Sequence, residues 1–311
     1  VIEAIGLRKS YGARPVLDGI SLTVARGEVV GLLGPNGAGK TTTLSILATL
    51  LDADAGEVRI DGRDTRADPA AARLRLGFVP QSIAVYPPLS PAQNVELFAR
   101  VHRIPTAQAR RRAAETLATV GLTERARDPV WTLSGGMKRR LNLACGLVHG
   151  PTALLLDEPT VGVDPESRED IMVAIRHLAA GGAAVLYSTH YMEEVERLCD
   201  RAYLIDSGRV IAQGTIGELI ELGGRHPRME INFEQAPADD GWYAAVDGVT
   251  AGAGADGIVT LQLAGLGQVT ELLDRARQGG GRIREFAVHS PNLSDAFMAL
   301  TGHGLRDADA S

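Results

Sequence analysis

The chain has 311 residues, of which 45% are hydrophobic and 23% charged, with a formal net charge of −6. That balance suits one large globular domain with a smaller companion, argues against nucleic acid as the main partner, and leaves no run near the roughly 18–20 apolar residues of a membrane span. The two cysteines, Cys145 and Cys199, sit in apolar, helix-like patterns without CxxC spacing, so they read as small core residues rather than as a disulfide framework or a metal site.

Val1-Ile2-Glu3-Ala4-Ile5 lacks the basic segment and cleavage site of a signal peptide. Short alternating segments follow, Ile2–Leu7 and Leu17–Val24, broken by turn residues as in an antiparallel hairpin. Val29-Val30-Gly31-Leu32-Leu33 is a buried strand, and Thr42–Leu47 opens a helix. Between them lies Gly34-Pro35-Asn36-Gly37-Ala38-Gly39-Lys40-Thr41, which matches the phosphate-binding pattern G-x-x-x-x-G-K-[ST] at every fixed position. Its glycines let successive backbone N–H groups turn toward an anion. Lys40 adds a charge for the β- and γ-phosphates, the helix start adds its dipole, and the Thr41 hydroxyl is placed to ligate magnesium. The stretch predicts binding of a nucleoside triphosphate.

Gly56–Gly62 is a further strand and turn. From about Pro88 to Gly150 the pattern turns helical, with apolar spacing over Asn94–Val101 and Arg110–Val120. The triple Arg110-Arg111-Arg112 reads as a solvated helix face. Strands and helices then alternate: Ala153–Leu156, Glu166–Ala180, Ala183–Ser188, Met192–Cys199 and Arg201–Ile205, the order of an α/β unit with a parallel sheet. At the end of the first of these strands Asp157 and Glu158 place two carboxylates. A phosphate loop needs a carboxylate near the magnesium, which suits Asp157, and a base or positioner for water, which suits Glu158.

After Gly223-Gly224 the composition shifts. Met229–Phe233, Ile258–Leu263 and Arg282–Val288 read as strands, and Gln268–Arg277 as an amphipathic helix. Gly252–Gly257 reads as a glycine-rich hairpin connection. The final helix, Pro291–Leu300, carries Leu293, Ala296, Phe297 and Leu300 on one face. Residues 1–224 and 225–311 are therefore expected to be two domains, the second a small α+β unit.

Leu133-Ser134-Gly135-Gly136-Met137 is a second anion-binding helix start. With the phosphate loop, Gln81 in Gly77–Gln81, the Asp157-Glu158 pair, Asp164, and His190 in Ser188-Thr189-His190, the order and spacing resemble the nucleotide-binding subunit of an ATP-binding cassette (ABC) transporter over about residues 2–220. The resemblance implies an α/β P-loop NTPase cassette with a RecA-like core, an antiparallel β subdomain and a helical subdomain at about 88–150. It implies ATP and Mg²⁺ as cofactors. Gly34, Pro35, Asn36, Gly37, Ala38, Gly39, Lys40, Thr41 and Thr42 would hold the phosphates, with Tyr11 stacked on adenine and Val16 nearby. Thr41, Gln81 and Asp157 would serve the metal, and Glu158, Gln81 and His190 the hydrolysis. Ser134, Gly135, Gly136 and Asp164 would act on the nucleotide of a second copy.

Met137, where Gln is commoner, and Val161-Gly162-Val163 before Asp164 depart from the usual pattern, but neither removes a phosphate-contacting group. Pro291–Gly302, with Met137 and Thr189–Glu194, is similar to the daunorubicin/doxorubicin-resistance subfamily of exporter ATPases. That similarity implies a homodimer on the cytoplasmic face of the cell membrane, held there by a separate permease and driving efflux of a drug-like or lipid-like cargo. An importer ATPase and a soluble ABC ATPase remain the alternatives. The first often carries a regulatory barrel at its C-terminus, and the second usually has two cassettes or a long coiled-coil insertion.

Overall fold

The computed structural model describes residues 1–224, 226–239, 241–251 and 258–302; the connection expected at 252–257, and Arg225 at the expected domain boundary, lie outside them. These residues divide into two compact units, Val1–Gly217 and Glu218–Gly302.

The first unit opens with a hairpin of β1 (Ile2–Tyr11) and β2 (Arg14–Val24) that turns at Gly12. A register shift between Ala4 and Leu7 lets Ile2, Ala4 and Leu7 all face inward despite their uneven spacing. β3 (Val29–Leu33) leads through the phosphate loop into α1 (Lys40–Leu47). Then come β4 (Ala55–Ile60) and β5 (Arg63–Asp64), which complete an antiparallel sheet of order β2-β1-β4-β5. α2 (Pro69–Arg75), capped by Asp68, precedes β6 (Leu76–Val79).

Three longer helices follow: α3 (Pro91–Val101), started by a Ser90–Gln93 capping box, α4 (Thr106–Thr119) and α5 (Gly135–Leu147). Arg110 and Arg111 project to solvent from α4. The chain then alternates through β7 (Ala153–Asp157), α6 (Pro165–Ala180), β8 (Ala184–Thr189), α7 (Met192–Leu198), β9 (Arg201–Asp206) and β10 (Arg209–Thr215).

The second sheet has the order β10-β9-β3-β8-β7-β6, parallel except for β10 at one edge. Its central strands are buried on both faces, which is why they read as unbroken apolar runs. One core joins both sheets: Leu44 and Leu47 of α1 pack with Ile2 and Ile20 on one side and Leu32, Leu155 and Leu186 on the other. Each such side chain contributes about 1.5–3 kcal/mol by burial. Cys145 and Cys199 are buried, and burial raises both thiols, Cys145 to about 12. Neither is a nucleophile at neutral pH.

The second unit begins inside α8 (Ile216–Leu222) and continues with β11 (Arg228–Gln235), α9 (Gly241–Ala244), β12 (Thr250–Ala251), β13 (Ile258–Gln262), α10 (Gln268–Gln278), β14 (Arg282–His289) and α11 (Leu293–Thr301). Its antiparallel sheet has the order β12-β13-β11-β14, with Met229, Ile231, Leu261, Trp242 and Leu272 in one cluster. The division falls before the composition shift at 223–224 because the end of α8 is close-packed on α11. A Cβ at Gly223 would lie 2.8 Å from the Ala296 Cα. Leu293, Ala296 and Phe297 are buried as a face, but Leu300 is 41% exposed. Its position on the helix wheel is right, but it lies in the last turn of α11, next to the final residue Thr301. No helix among the described residues is long and apolar enough to cross a membrane.

Candidate functional site

Parallel register brings the expected site residues to one edge. Leu33 pairs with Thr189, Asp157 with Ser188, and Val79 with Leu156. The segments that follow β3, β8, β7 and β6 therefore emerge side by side at the carboxyl ends of adjacent strands, where open α/β sheets bind ligands. Those segments begin with Gly34, His190, Glu158 and Pro80-Gln81.

α1 starts on a glycine in the left-handed region, with no capping side chain. Asp68, Ser90, Ser134 and Asp164 each cap a helix by accepting a backbone N–H. The N-cap of α1 is Gly39, at φ 103°. A Cβ there would also meet Leu17 Cδ2 at 2.5 Å and the Val16 carbonyl oxygen at 3.1 Å, so the loop requires glycine both for conformation and for its close approach to β2. Val16 thus backs the loop through its main chain. Tyr11 stands 54% exposed at the hairpin end, with a face open for stacking.

Lys40 is 6% exposed, and its ammonium donates to the carbonyls of Gly34 (2.8 Å) and Pro35 (3.1 Å). It also lies 3.5 Å from Glu158 Oε1. Gln81 donates its amide to Glu158 Oε2 at 3.1 Å, and His190 Nδ1 stands 3.1 Å from Oε1. Three elements thus aim polar groups at a single buried carboxylate. Glu158 itself adopts φ 46°, a left-handed conformation that costs a non-glycine residue about 1–3 kcal/mol and clusters at functional sites. Its N–H is held by the Ser188 carbonyl (3.1 Å) and hydroxyl (3.2 Å).

Asp157 accepts from the Ser188 hydroxyl at 2.7 Å and is hydrogen-bonded to the Thr41 hydroxyl. Burial outweighs these bonds and raises its carboxyl above the usual range, with the Glu158 charge adding to the effect. Magnesium demands octahedral oxygen ligands and keeps several waters, usually binding one or two carboxylates together with substrate phosphates. One hydroxyl and one carboxylate beside a phosphate loop fit that demand. Among the described residues no three His, Cys, Asp or Glu side chains gather into a metal centre of their own.

Ser134, Gly135, Gly136 and Asp164 form a separate cluster. The Ser134 hydroxyl caps α5 by accepting from Met137 N–H at 3.2 Å, and Asp164 caps α6 through Ser167. A Cβ on Gly136 would strike the Ser167 hydroxyl at 2.0 Å, so this glycine allows the two helix starts to abut. Ser134 and Gly135 face solvent.

Two further residues meet the site without having been singled out from sequence. Ser188 bridges Asp157 and Glu158, as above. Arg139 donates to the Gln81 carbonyl from α5. Burial lowers the pKa of this guanidinium, and the negative charge of Glu158 opposes the effect. Within Lys138-Arg139-Arg140 nothing in the periodicity distinguishes it; the contact is tertiary.

The model of the ABC transporter family matches residues 17–161. A daunorubicin resistance ATP-binding protein of Streptomyces coeruleorubidus is 40% identical over 100% of this chain and 98% of its own. The Nod factor export ATP-binding protein I of Paraburkholderia xenovorans (strain LB400) is 38% identical over 98% of both. A solved ATP binding subunit of an ABC transporter superposes with a TM-score of 0.65 and 30% identity, covering 72% of this chain and 93% of that one.

Proposed function

The chain belongs to the ATP-binding subunits of ABC transporters, and from that premise we propose that it is the ATPase of a multicomponent exporter, working through a separate membrane permease. The convergence of Lys40, Gln81 and His190 on Glu158, beside the Thr41–Asp157 pair, carries the enzymatic part. The export part rests on relatives named for drug resistance and for export, which match the chain almost end to end, tail included.

When bound, Mg²⁺ would supply positive charge against that developing on the transferred phosphoryl group. Lys40 exchanges its carbonyl partners for phosphate oxygens, and the N–H groups of the loop hold the rest. Thr41 and Asp157 would hold the metal. Glu158, released from Lys40, accepts a proton from the attacking water, while Gln81 and His190 orient water and γ-phosphate. Tyr11 stacks on the base. Cargo selection lies with the permease, which recruits this subunit to the cytoplasmic face of the membrane.

The exposed Ser134-Gly135 start of α5 and Asp164 serve the nucleotide of a second copy, so two chains sandwich two ATP molecules head to tail. Ser134→Arg and Lys40→Ala should each turn over poorly alone, yet a mixture should recover activity. The heterodimer retains one intact composite site, with the phosphate loop of the Ser134→Arg chain and Ser134 of the other. ATPase assays across mixing ratios check this, and no recovery at any ratio counts against the geometry.

Reconstituted with its permease, the full chain should drive ATP-dependent movement of cargo away from the ATPase face. A chain ending at Gly217 retains every phosphate-contacting motif and should still bind ATP, while transport falls. If transport survives at full rate, the second unit has no coupling role. If transport and thermal stability fall together, that unit only stabilises.

A further inference from the structure

Beside the catalytic edge lies a third buried carboxylate, and the proposed hydrolysis assigns it no part. Glu194, in α7, is 2% exposed. Its Oε2 accepts three hydroxyls, from Tyr187 (2.7 Å), Thr160 (2.9 Å) and Thr189 (3.0 Å). All three donors are fully buried. Oε1 lies 3.3 Å from Arg168 Nε of α6, without the alignment of a hydrogen bond. An acidic side chain is seldom so deeply buried unless it is paired. Here the pairing is with three hydroxyls drawn from two separate segments of the chain.

The donors indicate what the carboxylate holds together. Thr160 stands two residues after Glu158, in the segment that runs on to Asp164. Thr189 immediately precedes His190, and its hydroxyl also accepts the Tyr191 N–H at 3.0 Å. The Tyr191 ring packs on the His190 ring with centroids 4.1 Å apart, and the Arg168 guanidinium lies over the Tyr191 ring, 5.4 Å from its centroid. Tyr187 rises from β8 between these segments, 3.0 Å from the Thr160 hydroxyl. One oxygen atom therefore joins the loop after β7, which carries the strained Glu158, to the turn after β8, which carries His190.

The geometry points to Glu194 as a positioning residue that fixes Glu158 and His190 relative to each other by clamping Thr160 and Thr189. The 3.1 Å spacing between His190 Nδ1 and Glu158 Oε1 is set by two separate loops, and the clamp is their shared anchor. Small displacements of catalytic groups by remote changes can cost about 10²-fold in rate. Phosphate binding depends on the loop between β3 and α1; β3 meets the clamp strand β8 through main-chain pairing, Leu33 with Thr189 and Gly31 with Tyr187, which loss of a side-chain hydroxyl leaves in place. Loss of the clamp should therefore fall on kcat and spare affinity.

This inference rests on the reading of Glu158 as the hydrolytic carboxylate, and the experiment separates the two. Steady-state ATPase kinetics and fluorescent ATP titrations are run on full-length protein carrying Thr160→Val, Thr160→Ser, Thr189→Val, Thr189→Ser, Glu194→Gln and, as control, Glu158→Gln. The Val variants keep shape and remove the hydroxyl; the Ser variants restore it. We expect kcat to fall about tenfold or more in both Val variants and in Glu194→Gln, with KM and ATP affinity within about twofold, and to recover in both Ser variants. Because both threonines act through one oxygen, Thr160→Val should cost much less again in the Glu194→Gln background. Should Glu194→Gln fail to fold, the threonine variants decide alone. Wild-type kcat in both Val variants overturns the clamp, as does a loss that persists in the Ser variants or moves KM in step with kcat. Wild-type turnover in Glu158→Gln instead overturns the reading on which the clamp rests.

Discussion

Glu158→Gln is expected to bind MgATP with little change and to hydrolyse it about 10²–10⁴ times more slowly, the range for losing a positioned general base. The amide has the same shape and leaves Thr41 and Asp157 in place, so the metal side of the site is untouched. It cannot take a proton from water. Asp157 is a poor substitute, since its oxygens are already engaged by Ser188 and Thr41. Binding is spared for a further reason: Glu158 stands 3.5 Å from Lys40 Nζ and competes with phosphate for that cation. Removing its charge frees Lys40 and relieves repulsion of the γ-phosphate. The variant should therefore accumulate as an ATP-bound dimer in size-exclusion chromatography. Single-turnover phosphate release, measured beside fluorescent ATP titration, checks both halves. Turnover at the wild-type rate would place the base elsewhere.

The phosphate loop was legible because its requirements are local: a strand, glycines, a lysine and a helix start, all within eighteen residues of sequence. The parallel sheet followed from short apolar runs alternating with helical patterns, as strands buried on both faces do. Other features depend on contacts between distant segments. Nothing around Glu158 announces a left-handed backbone, because the turn is held by Ser188 on the neighbouring strand. Arg139 is one basic residue of three, and only the docking of α5 beside the Gln81 segment distinguishes it. Glu193 and Glu194 are indistinguishable in sequence, yet one faces solvent and the other lies under Thr160 and Tyr187. The short α2 and the edge strand β10 carry too little periodicity to be read at all. Leu300 shows the converse limit, since a helix wheel gives direction but not where the covered surface stops.

Lys40→Ala should weaken MgATP binding about tenfold to a hundredfold, the equivalent of one hydrogen bond to a charged group at about 1.5–3 kcal/mol. Lys40 is the cation of a loop otherwise built from neutral dipoles, and charge-assisted contacts are roughly twice as strong as neutral ones. Part of that gain is offset in the wild type, because Lys40 must leave the Gly34 and Pro35 carbonyls and Glu158 before it reaches phosphate. Two effects work the other way in the variant. Both carbonyls lose a donor, and Glu158 keeps its charge without the Lys40 ammonium, facing the incoming γ-phosphate with Gln81, His190 and the more distant charge of Arg139 to compensate it. The loss should therefore lie nearer the upper end of the range. Thermal unfolding with and without nucleotide gives a second reading of the same quantity. At an ATP concentration 100 times the wild-type Kd, binding stabilises the wild type by about 2.7 kcal/mol, and a hundredfold weaker site reduces this to about 0.4 kcal/mol. The nucleotide-induced rise in Tm should nearly vanish while the nucleotide-free protein still melts cooperatively. An unchanged affinity, with the same rise in Tm as the wild type, would mean that Lys40 serves Glu158 and the loop rather than phosphate.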